Sequence, residues 1–297
     1  MVSVIIVSIN PDFLRKVKEN IGDTIGISHE IIAIDNTHSN YGICQLYNAA
    51  AQQAKFEIVC FMHEDIVIHT ESWGKKIVDL FGNHPNLGLI GVAGSAYKTF
   101  SVSGWDILGD DKNVRFINYI QGYKFLDKES DHQHANSTKK NLTEVAAVDG
   151  MWMCTKRSIV LSYPFDEETL SGFHGYDIDF CLSLYKKYVI AVTFDILIEH
   201  YSEGNFDKNW FREIIKVHEK WRSILPINLA QIRKREMEIF EKRAFKRGLP
   251  YYIELNYTLK SILKILNRLK LLKLIGRLTY LKLYYATIKS FLFSKQR

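Results

Sequence analysis

Acidic residues are absent from the last 43 positions, Leu255 to Arg297, although ten lysines and arginines fall there. The first 254 residues hold all 33 Asp and Glu against 29 Lys and Arg, so a mildly acidic body carries a basic tail. This is not the basic folded face of a nucleic-acid-binding domain, no such module is recognisable, and no nucleic-acid partner is expected. Cysteine is scarce: Cys44, Cys60, Cys154 and Cys181 show no CxxC spacing. No secretory leader precedes the first strand-like run, so a reduced, cytoplasmic setting is expected. In that setting the sequons at Asn136, Asn141 and Asn256 are chance matches. No uninterrupted apolar run reaches the roughly 18 residues of a spanning helix. What is abundant is core material: 47% of the 297 residues are apolar, enough for one large domain, or a domain with an appendage.

Strand and helix signals alternate. MVSVIIVSI (1–9) is a β-branched run stopped by Asn10 and Pro11, 12–21 has helical spacing, and EIIAID (30–35) is a second strand. Helix formers fill 43–54, FEIVCFM (56–62) is a third strand, 72–82 a helix and LGLIGVAG (87–94) a strand. This order predicts an α/β fold whose mainly parallel sheet is covered by helices on both faces. Such sheets bind ligands beyond the carboxyl ends of their strands. Asp35 ends the second strand, and His63, Glu64 and Asp65 end the third. Alone, Asp35 reads as a turn former; two acidic ends on neighbouring strands predict a site.

From 95 to 145 the pattern dissolves into polar, Gly-bearing sequence, expected as a long irregular insertion acting as lid or mobile loop. His132 and His134 lie in it without a third ligand nearby and read as solvated surface. A strand then ends at Asp149 and Gly150. Asp177 and Asp179 precede a helix of about ten residues, where simple capping is the plain alternative, and the strand VIAVTFDILIEH ends on His200.

SVIIVSIN, the strand ending in Asp35 and Asn36, the NYG(x5)N spacing from Asn40 to Asn48, the HED strand end, the DG at Asp149, FHGYDIDFCL, and HYSEG(x5)W leading to HEKW stand in order over residues 2–222. Together they resemble the family-2-type inverting glycosyltransferases of the GT-A fold, a Rossmann-like sheet flanked by helices, and most nearly the bacterial members with an HxD-type acidic motif. The resemblance implies a catalytic domain over 1–225 and a helical, basic amphipathic extension over 226–297. It implies sugar transfer from a nucleotide-sugar, a UDP-sugar, to a saccharide or lipid-linked saccharide in cell-surface polysaccharide synthesis. Asp65 would hold Mn2+ or Mg2+, with His200 and with His63, which stands where the family has Asp. Ser8, Asn10, Asp35, Asn40, Asn48 and Glu64 would join Asp65 on the donor side, although strand alternation turns Glu64 from its neighbours. Asp177 matches the family's general base, with Tyr176 where many relatives have Glu. Asp149, Gly150, Trp152 and Tyr176 would face the acceptor, Trp152 offering a ring for a sugar to stack on or else lying in the core.

The tail, 256–294, alternates Leu, Ile, Tyr and Phe with Lys or Arg. At about 100° per residue, Lys260, Lys264 and Arg268 group on one side and Lys270, Lys273 and Arg277 on another, which predicts a break or two helices. These are expected to lie on an anionic membrane surface, placing the protein peripherally on the inner face of the cell membrane. The alternative is packing on the catalytic domain or on a second copy in a homodimer. Residues 231–247 read as a solvated linking helix. Two rival functions stay open: a catalytically silent nucleotide-sugar-binding or scaffold protein at the membrane, and a sugar nucleotidyltransferase. The second needs a Gly-rich phosphate loop after the first strand, and SINPDF has no glycine.

Overall fold

The β-branched residues of β1 (Val2–Ser8) are buried almost throughout, as the centre of a parallel sheet requires. This computed structural model describes residues 1–38, 41–106, 113–123, 126–202, 204 and 206–294. It divides into one unit formed by Met1–Ala96 with Asp110–Gly204 and a second formed by Tyr97–Gly109 with Asn205–Arg297.

In the first unit, α1 (Pro11–Thr24) starts where the Asn10 side chain accepts the amides of Asp12 and Phe13, with Pro11 in the first turn. Then follow β2 (His29–Asp35), α2 (Ile43–Gln53), β3 (Ile58–Met62), β4 (Ile66–Ile68), α3 (Trp73–Asn83), β5 (Leu87–Gly91) and β6 (Ala93–Ser95). After the short β7 (Tyr97–Lys98) of the second unit come β8 (Arg115–Gly122), β9 (Asp131–Ala135), β10 (Leu142–Glu144), β11 (Ala147–Val148) and β12 (Trp152–Lys156). The unit closes with α4 (Arg157–Ser162), α5 (Tyr176–Leu184), β13 (Val189–Thr193) and β14 (Ile198–Tyr201). The large sheet runs β10-β13-β5-β12-β3-β1-β2, parallel except that β12 and β10 run antiparallel to their neighbours. A second sheet runs β11-β6-β8-β14-β4, with β9 against β8.

Two expected strands divide. LGLIGVAG gives β5 and β6, and VIAVTFDILIEH gives β13 and β14, each pair split between the two sheets. The expected irregular insertion contains β7 to β10 among its described residues. Polar DHQHA is a strand only because β8 pairs with it along five residues, a tertiary override of weak propensity. The crossing between β3 and β4 is the HED triplet itself: Met62 belongs to the large sheet and Ile66 to the second.

The second unit contains β7, α6 (Lys208–Lys220), β15 (Ile227–Asn228), α7 (Lys234–Glu254), α8 (Leu259–Leu271) and α9 (Arg277–Ser294). Phe211, Phe245, Leu249, Ile262 and Leu266 form its core. Helix α6 turns Phe211 and Ile215 into this helical core, so the contacts of residues from Asn205 onward are with the second unit. The tail is two helices, as its pattern requires. Residues 231–247 are not a solvated linker: α7 buries Phe240, Ala244 and Phe245, and with them Glu241. That carboxylate accepts the amides of Phe100 and Ser101, each at 2.8 Å, and the Tyr97 hydroxyl at 3.1 Å. Buried Lys98 donates to Ser103 O at 2.8 Å and lies 2.7 Å from His218 Nε2. The first residue of HEKW therefore clamps the 97–104 segment.

Candidate active site

Strand pairing explains how distant residues meet. Antiparallel pairing of β14 with β4 sets His200 opposite Ile66, and the Tyr201 amide donates to Asp65 O at 2.9 Å. His200 Nε2 consequently lies 3.4 Å from Asp65 Oδ1. On the other side, β12 pairs Trp152 with Met62, and the His63 amide donates to Met151 O at 2.9 Å. His63 Nδ1 then lies 3.4 Å from His200 Nε2 and 4.0 Å from Asp65 Oδ1. One carboxylate oxygen and two imidazole nitrogens fall within 4.8 Å of one another, the only such group of three among the described residues. Burial, with His200 beside it, pushes the His63 pKa down to about 4, so the ring is neutral at pH 7. Burial raises Asp65, but its hydrogen bond to His200 and the His200 charge outweigh that and hold it below the usual carboxylate range. A neutral imidazole and an ionised carboxylate are the forms that ligate metal.

Asp177 lies in the first turn of α5, just inside the Gly175 cap, whose φ of 84° favours glycine. Cys181 Sγ takes the Val148 amide at 3.4 Å and holds α5 on β11. Burial, then the Asp149 charge, pushes Asp177 up to about 7, opposed by amide hydrogen bonds including Ile178 N–H at 2.8 Å. Asp149 itself accepts the Met151 amide at 2.8 Å. A carboxyl poised near neutrality in a part-buried place suits proton abstraction at physiological pH.

The donor-side residues are dispersed in role. Asp35, exposed at the end of β2 beside Ser8, accepts the Thr37 amide and hydroxyl at 2.9 and 2.6 Å. Those hydrogen bonds hold its pKa down. Glu64 points back to β1, accepting the Ser8 hydroxyl and the amides of Ile9 and Asn10 at 3.3 and 3.0 Å. The side chains of Ser8, Asn10 and Glu64 are thus engaged in holding strand ends and the α1 cap. Asn48 is turned to a different partner, exchanging hydrogen bonds with the Phe165 backbone at 2.9 Å both ways. Asn40 lies outside the described residues.

On the expected acceptor side, Trp152 is fully buried, edge-on to Trp73 at 6.2 Å, and has no face to give a sugar. Tyr176 is only 4% exposed, its hydroxyl 3.0 Å from His63 Nε2 and donating to Gly150 O at 3.1 Å. Phe173 is instead the exposed ring here: 51% accessible, 5.6 Å from the His63 ring. Its place four residues before Asp177 is the signal that identifies it.

Residues 3–220 match the profile of the glycosyltransferase like family. The chain is a glycosyltransferase of this family. No curated protein sequence matches it. The glycosyltransferase superposes on the S. aureus TarS fragment 1–349 with a TM-score of 0.51 and 13% identity, over 99% of this chain and 91% of that one. The same fragment in complex with UDP aligns equally. GalNAc-T7, solved with UDP, GalNAc and Mn2+, aligns with a TM-score of 0.51 and 10% identity over 84% of this chain, which spans 52% of GalNAc-T7. At these identities the likeness concerns the fold, and it is the GT-A fold: a mainly parallel sheet flanked by helices, followed by C-terminal helices.

Proposed function

We propose that this glycosyltransferase transfers a sugar, with inversion, from a UDP-sugar to a hydroxyl of a saccharide or lipid-linked saccharide, in a metal-dependent reaction of bacterial cell-surface polysaccharide synthesis. One observation carries the reading: Asp177, held near pKa 7, directly follows Tyr176, whose hydroxyl touches His63 of the His63–Asp65–His200 cluster. A proton acceptor and a cation site therefore adjoin, as transfer from a diphosphate leaving group demands.

The donor set fits a divalent ion. One carboxylate and two imidazoles, all part-buried, suit Mn2+ better than Mg2+, which prefers an all-oxygen shell. Bound there, the ion would neutralise charge on the departing diphosphate. The chain's own residues do the rest. Asp177 takes the acceptor's proton, and inversion needs only that one base. Asp35, at the open end of β2, is placed for a ribose or base. The exposed Phe173 ring offers the stacking face that Trp152 does not. The UDP found with TarS and GalNAc-T7 supports the nucleotide assignment.

No helix among the described residues is long and apolar enough to cross a membrane. Leu278, Leu281, Tyr285, Leu292 and Phe293 of α9 are nevertheless exposed on a segment with basic and no acidic residues. This supports peripheral attachment to an anionic inner-membrane surface.

The test is hydrolysis and transfer of UDP-sugars with and without Mn2+. The wild type should turn over only with the ion, and Asp65→Ala should lose at least tenfold in both activity and Mn2+ affinity. An Asp65→Ala protein that matches wild type in Mn2+-dependent hydrolysis would refute the assignment.

A further inference from the structure

Resting on that reading and deepening it, we propose that Tyr176 is a positioning residue that fixes His63 in the tautomer with its lone pair on Nδ1, the nitrogen facing Asp65 and His200. The argument counts protons. A tyrosine hydroxyl has one, and Tyr176 donates it to the Gly150 carbonyl oxygen, which can only accept. The short approach of His63 Nε2 to the Tyr176 oxygen, 3.0 Å, therefore needs its proton from the imidazole. A neutral imidazole with N–H at Nε2 has a bare Nδ1.

The other end of the ring agrees. His200 Nε2 lies 3.4 Å from Asp65 Oδ1 and 3.4 Å from His63 Nδ1; an ionised carboxylate can only accept, so this contact calls for the proton on His200 Nε2. A proton on Nδ1 would set two N–H groups against each other, whereas a lone pair accepts a share of the His200 proton. The tyrosine is held in place as well. A Cβ at position 150 would run into the Tyr176 hydroxyl oxygen, so only glycine leaves room for it. Tyr47 packs edge-on to the Tyr176 ring at 5.6 Å, and Phe165 at 6.2 Å.

An aspartate in the place of His63 offers equivalent oxygens and needs no orientation. An imidazole offers a lone pair on one nitrogen only, and an outer partner must choose which.

Nitrogen-resolved NMR of His63 in the metal-free protein at pH 7 tests this directly, with Nε2 expected protonated and Nδ1 not. Tyr176→Phe should weaken that preference, leaving only the His200 contact to bias it, and raise the Mn2+ dissociation constant roughly 10- to 100-fold, the usual cost of losing an outer-shell partner. In a His63→Ala background the same substitution should change Mn2+ affinity by less than about twofold, because the coupling runs through the imidazole. Protonated Nδ1 in the wild type, or unchanged Mn2+ affinity in Tyr176→Phe, overturns the proposal. Should Tyr176→Phe fail to fold, the wild-type spectrum still decides it. A wild type that binds no Mn2+ refutes the metal-dependent reading instead, while the tautomer is read independently without metal.

Discussion

Replacing Asp177 by Asn should destroy transfer and stabilise the fold, and the stabilisation should depend on pH. The folded protein lifts this carboxyl from 3.8 to about 7, through burial and then the Asp149 charge. Roughly three pKa units at about 1.4 kcal/mol each give an upper bound of about 4 kcal/mol. Asp177 is half-buried as a residue, and screening reduces this to about 2–3 kcal/mol. The sign follows from proton binding: the folded state holds the proton more tightly than the unfolded state. Wild-type stability therefore falls as pH rises from about 4 to about 7 and is level above, whereas the neutral amide escapes the penalty. Asparagine keeps an oxygen to accept the Ile178 amide. At pH 8 the variant should melt higher by roughly 2–4 °C per kcal/mol, and the gain should vanish near pH 4. Wild-type transfer should rise with pH and level off above about 7, as an ionised base requires. Paired unfolding curves at pH 4, 6 and 8, with UDP binding as a check on the site, measure this. A stability difference independent of pH, or a variant less stable at pH 8, would refute the argument for a desolvated base.

Phe173→Ala should raise the acceptor KM by about 5- to 30-fold, the worth of about 1–2 kcal/mol of ring stacking, with little change in UDP binding. Steady-state kinetics over acceptor concentration would show this, and an unchanged KM would exclude the ring from the sugar's path. Glu241→Ala leaves the Phe100 and Ser101 amides and the Tyr97 hydroxyl without their buried acceptor. It should destabilise the second unit by about 3 kcal/mol, read by denaturant unfolding, with Glu241→Gln milder. Charge placed on α9 as Leu281→Asp with Tyr285→Asp should abolish co-sedimentation with anionic vesicles while leaving hydrolysis of the donor intact; undiminished sedimentation would count against that helix as the attachment.

Much of the catalytic unit is legible in the chain because its signals are local. β-branched runs broken by Asn10 and Pro11, helix formers at 43–53 and carboxylates at strand ends give the alternation, and the ordered motifs from SVIIVSIN to HEKW give the family. The strand DHQHA was not legible, because its own residues favour no strand and β8 supplies the ladder. The burial of α7 was also hidden: a stretch rich in Lys, Arg and Glu can still turn Phe240 and Phe245 inward once a helical core exists to receive them.

Within the site the division is the same. The sequence by itself determined which residue types stand at the strand ends, that Asp65 and Asp177 are carboxylates in a family-specific order, and that the tail is basic and apolar without an acidic residue. Only the tertiary structure decided their partners. It turned Glu64 back to Ser8, buried Trp152, exposed Phe173, and brought His200 from β14 and His63 from the end of β3 to one carboxylate. The physical reason is that backbone periodicity is set by neighbours along the chain, whereas a side chain's partner depends on the register between strands more than a hundred residues apart in sequence, here His200 opposite Ile66.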